Sequence, residues 1–116
     1  MSTARLTAIR IHPVKDEPGQ ALQRVGVGPE GLDGDRRKKA PVHLVGEDEA
    51  QTRANLILDV PSAALADWVG GVVTIGDVRL GIARTAGNCA GVYADVLTPG
   101  ELAVGDTATV ILAQAD

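Results

Sequence analysis

Aromatic residues are nearly absent from this chain of 116 residues, which contains no phenylalanine, one tryptophan and one tyrosine. Because hydrophobic residues still make up 45% of the sequence, the core must be aliphatic. Single-stranded nucleic acids are bound largely by stacking bases on exposed aromatic rings, and this chain has few rings to offer. Its net charge of -4 also lacks the basic excess typical of nucleic-acid-binding domains. We therefore expect no nucleic-acid partner.

Cysteine occurs once, as Cys89, which excludes an internal disulfide framework and any metal site built on a Cys-x-x-Cys pair. A reducing compartment is the simplest interpretation of that count. Residues 1–15 show no apolar run of the kind found in secretory signals. No other segment approaches the ~20 apolar residues of a membrane-spanning helix. We expect a cytoplasmic protein without a membrane partner.

Short apolar segments separated by Gly, Pro and Asp dominate the chain, and this pattern is typical of many short strands. Residues 78–83 alternate strictly between large apolar side chains and small or charged ones. Near the N-terminus, Thr7, Ile9 and Ile11 fall on one face of a first strand. Alternation of this kind indicates sheets with one buried face.

Turn and helix signals complete the fold prediction. Gly-Asp pairs at 76–77 and 105–106 each separate two β-prone runs and predict tight hairpins. Residues 61–69 are the better of two helix candidates, with Leu65, Trp68 and Val69 on one face, and residues 47–54 could add two turns. We predict one mostly β domain over residues 1–116, a small closed or partly closed, antiparallel-rich β barrel with one or two short helices.

The densest polar signal is residues 31–39, where two glycines and two aspartates precede four consecutive cations. A glycine-rich turn beside arginines and lysines is typical of a phosphate or oxyanion site. The alternative is a solvated loop whose charges keep the surface soluble, and composition alone favours that alternative. Asp35, beside Arg36, suits a structural role better than acid–base chemistry.

Three further polar groups are candidates for chemistry. Cys89 is flanked by small residues, and its thiolate would be the reactive form, although a lone cysteine is more often a buried apolar side chain. Arg53 offers a planar fork for phosphate or carboxylate and Asn55 offers a donor and an acceptor, unless the pair only begins a strand. Arg84 is in phase with the apolar face of residues 78–82, so we expect it to point into the barrel near its mouth, where it needs an anion.

Other catalytic arrangements are absent from the sequence. His12 and His43 match no metal-ligand spacing, and we interpret both as structural or surface residues. The chain also lacks a Ser/His/Asp set, paired carboxylates at a useful spacing and a GxGxxG fingerprint. These absences leave the lone thiol and the arginines as the groups to explain.

Six short motifs occur in an order that resembles a known family. They are an opening strand ending in proline (8–13), Gly-Leu-Asp-Gly-Asp-Arg (31–36), Arg-Ala-Asn-Leu (53–56), Ile-Gly-Asp (75–77), the single Cys89, and Gly-Val-Tyr-Ala-Asp-Val (91–96) followed by Gly100 and Gly-Asp (105–106). Together they resemble the MOSC domain, the module named after the C-terminal region of molybdenum cofactor sulfurases. The match runs through most of the chain.

The resemblance implies a β-rich barrel that binds the molybdenum cofactor, a pterin phosphate carrying molybdenum, or that handles sulfur. By resemblance, Cys89 would carry a persulfide or ligate molybdenum, since thiolate sulfur suits both tasks. The expected cofactor-binding residues are Asp35, Arg36, Arg53, Asn55 and Arg84. The implied role is cofactor sulfuration or molybdenum-dependent redox chemistry, supported by a sulfur-donor or redox partner protein.

The sequence also departs from the family pattern. Asn88 stands where the pattern has proline, Asp95 stands where it often has arginine, and the segment between His43 and Asn55 is short. We expect no pyridoxal phosphate in this chain. Two alternatives therefore stay open, one being a non-catalytic module that binds an anion or a partner. The other is a structural domain that dimerises through a barrel edge.

Overall fold

Strands make up most of the computed structural model, which describes residues 2–14, 18–35, 40–49, 54–87 and 90–112. Two 3-10 turns, Glu47–Glu49 and Ala66–Trp68, accompany one short helix. In chain order the elements are β1 (Ser2–Ile11), β2 (Gln20–Leu22), β3 (Arg24–Gly28), β4 (Gly31–Leu32), β5 (Val42–Gly46), β6 (Leu56–Leu58), α1 (Ser62–Leu65), β7 (Val72–Ile75), β8 (Val78–Thr85), β9 (Val92–Thr98), β10 (Gly100–Ala103) and β11 (Thr107–Ile111). Across these described stretches, every helix is too short to cross a lipid bilayer.

Seven strands close into a barrel within the described part of the chain. Their order is β1, β11, β7, β8, β9, β5 and β6, and β6 pairs back with β1. Neighbours in this ring are antiparallel except β5 and β6, which run parallel. β2 extends the end of β1 outside the ring, and β10, β3 and β4 form a separate sheet. The predicted closed, antiparallel-rich β barrel is confirmed.

An aliphatic core occupies the barrel interior. Each barrel strand contributes to one cluster of buried side chains, which includes Leu6, Leu44 and Leu80 with no exposed surface. Leu65 and Trp68 add to the same cluster from α1 and the 3-10 turn that follows it. The sequence predicts Val69 on the same face, but its side chain is 38% exposed. The backbone is extended at Val69, so the helical repeat that would place it beside Leu65 ends before this residue. In the described part of the chain, the barrel strands and α1 thus share one aliphatic cluster.

Irregular pairing in β1 and β8 overturns two predictions about side-chain direction. The register between β1 and β6 shifts between Leu6 and Ala8, and Thr7 is exposed, with its hydroxyl donating to the Ile57 carbonyl at 3.0 Å. The register between β8 and β9 shifts between Ile82 and Arg84, and Arg84 is exposed. Each shift changes the phase of the alternation. The prediction that Thr7 shares a face with Ile9 and Ile11 is therefore wrong, and so is the inward direction predicted for Arg84.

The two Gly-Asp turns differ in what they join. Gly76 adopts a φ of +55° and closes the predicted hairpin between β7 and β8, where Ile75 pairs with Val78. The second turn is no hairpin, since β10 pairs with β3 while β11 pairs with β1 and β7. Here Gly105 donates to the Leu6 carbonyl at 2.7 Å, so the turn is fixed on β1 and passes the chain between the two sheets.

A carboxylate holds the start of α1. Asp48, in the 3-10 turn Glu47–Glu49, accepts hydrogen bonds from the Ser62 amide at 2.8 Å and the Ser62 hydroxyl at 2.9 Å. The same hydroxyl accepts from the Gly46 amide at 2.8 Å. The sequence predicts two helical turns over residues 47–54, of which residues 50–53 lie outside the described residues. The described part of that prediction forms only this 3-10 turn. These bonds tie α1 to β5.

The Ser62 hydrogen bonds also lower the pKa of Asp48 below its ordinary value of 3.8. The stabilisation from this carboxylate is therefore complete at neutral pH and is lost as pH falls through the lowered pKa. We expect Asp48→Asn to lower the midpoint of thermal unfolding at pH 7, and the gap from wild type to close below that pKa. Thermal unfolding between pH 7 and pH 2 measures this gap, and Glu49→Gln controls for a general charge effect. A gap that stays constant with pH would contradict the assignment.

Candidate functional site

Asn55 lies fully buried immediately before β6 and connects three parts of the chain. Its amide nitrogen donates to the Arg10 carbonyl at 3.2 Å and to the Asp35 carboxylate at 2.9 Å. Its side-chain oxygen accepts from the His43 amide at 3.0 Å. An amide group has two donors, so both donors of Asn55 are used within the protein.

Asp35 fixes the end of the glycine-rich turn. One carboxylate oxygen accepts from Asn55, and the other accepts from the His12 amide at 2.6 Å. Gly31 and Gly34 adopt φ angles of +118° and +83°, conformations that side chains rarely allow. The turn predicted from the two glycines is thus present, and the carboxylate attaches it to the end of β1.

A cavity of about 420 Å³ lies beside this turn and is lined by residues 28–35. Three of the lining residues, Glu30, Asp33 and Asp35, carry carboxylates. The Asp33 and Asp35 amides donate to the carbonyls of Gly26 and Leu32, so these backbone donors are already used. Carboxylate surroundings oppose a phosphate, and the cations at positions 36–39 lie outside the described residues. Among the described residues, the charged side chains that line this cavity are therefore all acidic.

His43 connects the segment that follows Cys89 to the barrel. Its Nε2 lies 2.7 Å from the Ala90 carbonyl oxygen, and because a carbonyl only accepts, Nε2 carries the proton of this bond. The His43 ring stands 5.0 Å from the Tyr93 ring at a tilt of 59°, and the Arg84 guanidinium lies 4.8 Å from the Tyr93 centroid on a ring face. The structural role predicted for His43 fits its 9% exposure.

Five residues form a row across the outside of the barrel. Tyr93 pairs in register with Arg84 on one side and with His43 on the other. The backbone N–H of Asn55 donates to the His43 carbonyl, and the backbone N–H of Arg10 donates to the Asn55 carbonyl. Neighbouring strands lie roughly 4.8 Å apart, so the row crosses the sheet in short steps. His43 faces outward because the residues on either side of it belong to the interior core. We call Arg84, Tyr93, His43, Asn55 and Arg10 the outer row.

A second hydrophobic cluster covers the outer face of β5 and β6. Val45, Ala54 and Ile57 are buried in it, and Ala8 and Ala90 pack against it. Ala54 directly follows Arg53 in the sequence, and Ala90 directly follows Cys89. Two candidate segments that are distant in sequence are thus adjacent in space where the structure describes them.

The structure describes three of the six predicted site residues. Asp35 and Asn55 are hydrogen-bonded to each other, and Arg84 lies exposed at the far end of the outer row. Arg36, Arg53 and Cys89 lie outside the described residues. Within the described stretches, no cluster of His, Asp and Glu could hold a metal ion. Sequence reasoning missed Tyr93 as a partner of Arg84, because only the pairing of β8 with β9 brings them together.

Solved structures share this fold at low sequence identity. The YuaD protein from Bacillus subtilis matches with a TM-score of 0.78 and 14% identity, covering 97% of this chain and 98% of that one. YiiM from Escherichia coli matches with a TM-score of 0.64 and 10% identity, covering 97% and 72%. A hypothetical protein matches with a TM-score of 0.75 and 8% identity, covering 97% and 70%.

Those matches show a shared fold. The likeness to YuaD and YiiM supports the MOSC-type barrel that the motif order predicts, and it carries no statement about a ligand. Comparison with protein-family models and with curated proteins gives no match. The functional assignment therefore depends on the residues of the outer row and their sequence neighbours.

Proposed function

We propose that this MOSC-type domain binds the molybdenum cofactor, or another small anion, at the outer row and uses Cys89 as sulfur carrier or metal ligand. One observation carries the proposal: Ala54 and Ala90 share a hydrophobic cluster. Arg53 directly precedes Ala54 in the sequence, and Cys89 directly precedes Ala90. Consecutive Cα atoms are about 3.8 Å apart. Arg36 follows Asp35, whose carboxylate is bonded to Asn55 beside the same cluster.

The described part of the outer row fits an anionic group. Arg84 is exposed and keeps its guanidinium over the ring of Tyr93, which leaves its N–H groups available at the surface. Arg36 and Arg53 would supply two further cations and bind the phosphate in bidentate fashion.

Cys89 would supply the sulfur chemistry. Its thiolate attacks the outer sulfur of a donor persulfide, a new S–S bond forms on Cys89, and the old S–S bond breaks as the donor leaves as a thiolate. The neighbouring arginines offset the negative charge of the persulfide. When bound, the cofactor would supply a polarisable metal, for which the thiolate of Cys89 would be a suitable ligand.

Loss of the thiol tests the proposal directly. We expect the wild-type protein, expressed with intact molybdenum cofactor synthesis, to contain molybdenum or one extra sulfur atom on Cys89. Elemental analysis and intact-mass spectrometry measure both, and Cys89→Ser is expected to lose at least nine-tenths of the signal. Cys89→Ala and thermal unfolding of each variant control for folding. Equal molybdenum and sulfur contents in wild type and variants would contradict the proposal.

A non-catalytic anion-binding module is the second candidate function. It is favoured by the exposed Arg84 on Tyr93, an arrangement that involves no thiol. Phosphate titrations followed by amide NMR separate the two candidates. Equal phosphate affinity in wild type and Cys89→Ser, with no sulfur or molybdenum on the wild-type protein, would support the second candidate over the first.

A further inference from the structure

Apolar residues form a row across the outer face of β9, β8, β7 and β11. Ile111 on β11 pairs in register with Val72 on β7, and Val72 pairs with Gly81 on β8. The Leu97 side chain on β9 covers Gly81, since a Cβ built there would lie 3.4 Å from Leu97 Cδ1. Leu97 and Ile111 are 53% and 57% exposed. We call Leu97, Gly81, Val72 and Ile111 the apolar row.

The apolar row faces away from the barrel interior, because the sequence neighbours of its members on β7, β8 and β11 belong to the interior core. All four strands that carry the row are hydrogen-bonded on both sides, β9 to β8 and β5, and β11 to β7 and β1. A partner therefore cannot add a strand here and must contact the side chains of the face. Contiguous exposed apolar surface of this kind is typical of interaction sites.

Two opposite charges flank Leu97 on the same outer face. Asp95 pairs in register with Gly81, whereas Arg79, two residues before Gly81, pairs with Thr98. Leu97 therefore lies between the level of Asp95 and the level of Arg79 along the β8–β9 pair. Both charged residues are exposed, and across the described stretches neither side chain forms an ion pair. The face thus presents a cation and an anion on opposite sides of an apolar centre.

We propose that this face binds the same face of a second copy of the chain and forms a symmetric dimer. In a two-fold contact the same patch serves both copies, so every contact occurs twice. A two-fold axis over Leu97 brings Arg79 of each copy opposite Asp95 of the other. Apolar residues of the two rows then pack together between the two ion pairs. The face is therefore complementary to itself in charge as well as in polarity.

The size of the face indicates a weak dimer. The apolar row crosses four strands and so spans roughly 14 Å, at about 4.8 Å between neighbouring strands. A stable interface buries about 800 Å² on each partner, which exceeds the area of such a row. We expect monomer and dimer in exchange, with a sedimentation coefficient that rises with concentration. Sedimentation velocity between about 10 µM and about 1 mM covers the range of a weak association.

A reversal of the two charges tests how the copies meet. Arg79→Asp places two carboxylates opposite each other at both contacts, and Asp95→Arg places two guanidinium groups there. We expect each variant alone to dimerise at least about tenfold more weakly, because the symmetry applies the repulsion twice. An equimolar mixture should regain near wild-type dimerisation, since the first variant presents only acidic groups and the second only basic groups. Thermal unfolding of each variant checks that it folds.

Leu97→Thr tests the apolar contact, with Val14→Thr as its matched control. Val14 is 51% exposed and follows the end of β1 opposite to the residues that pair with β11. We expect Leu97→Thr to weaken dimerisation at least about tenfold and Val14→Thr to leave it unchanged. Neither substitution changes the net charge, so this comparison also holds if a charge variant does not fold.

Three results would overturn the proposal. The first is a wild-type protein that stays monomeric at about 1 mM. The second is a mixture of Arg79→Asp and Asp95→Arg that dimerises no better than either variant alone. The third is equal dimerisation of wild type, the charge variants and Leu97→Thr, which would place the contact on another surface.

Discussion

Replacing Gly91 with alanine is expected to destabilise the barrel severely, whereas Gly87→Ala should lose only the backbone penalty of a positive φ. Gly91 has a φ of +82°, and a Cβ built there would overlap the Leu44 carbonyl oxygen and lie 2.9 Å from Val45 Cγ1. Leu44 and Val45 are fully buried in β5, so the clash cannot relax by moving a surface side chain. We expect a loss of about 3 kcal/mol or more in the free energy of unfolding.

Gly87 is the matched control because it shares the conformation without the crowding. Its φ is +64°, and a Cβ there would meet nothing within 4 Å. The backbone penalty alone is about 1–2 kcal/mol for alanine in this conformation. Denaturant unfolding of both variants measures the difference, and equal losses would contradict the close approach of Gly91 to β5.

The barrel could be predicted from local patterns because burial follows alternation. Residues 78–82 alternate in the sequence and alternate in the structure, where Val78, Leu80 and Ile82 are buried. The prediction failed at Thr7 and Arg84, where register shifts change the phase. A register shift depends on how the neighbouring strand pairs, and a single strand's sequence does not encode that pairing.

The candidate site could be predicted only in part for a similar reason. The motifs indicated Asp35 and Asn55 as members of one site, and the structure places them in direct contact. The bond between Asn55 and the His43 amide follows from the parallel pairing of β5 with β6, and the bond to the Arg10 carbonyl follows from the pairing of β1 with β6. The placement of Ala54 and Ala90 in one cluster also needs the pairing of β5 with β9. A local residue pattern does not predict such pairings, because they join segments that are distant in sequence and meet only in the folded sheet.

Removing two cations together should nearly abolish binding of an anion. We expect Arg36→Gln combined with Arg53→Gln to weaken phosphate binding by at least about a hundredfold, since each charged hydrogen bond contributes roughly 1.5–3 kcal/mol. The wild-type affinity should also fall with added salt, because exposed charges are screened. Titration calorimetry at low and physiological ionic strength measures both effects.

Arg79→Gln provides the matched control for that charge change. Arg79 is exposed on β8, where it pairs in register with Thr74 and Thr98, away from the outer row. Its loss should change phosphate affinity less than twofold at physiological ionic strength, as the Debye length there is about 8 Å. If Arg79→Gln weakens binding as much as the double change, phosphate responds to net charge and the assigned arginines have no special role.

The most direct test is a nitroxide label on Cys89, the single cysteine of the chain. Amide NMR then reports which residues lie near the label in the folded protein. Apart from the sequence neighbours of Cys89, the account predicts the strongest broadening at Ala54, Asn55 and Asp35, and little at Thr74 or Arg79. Strong broadening at Thr74 and Arg79, with sharp signals at Asp35 and Asn55, would contradict the shared site.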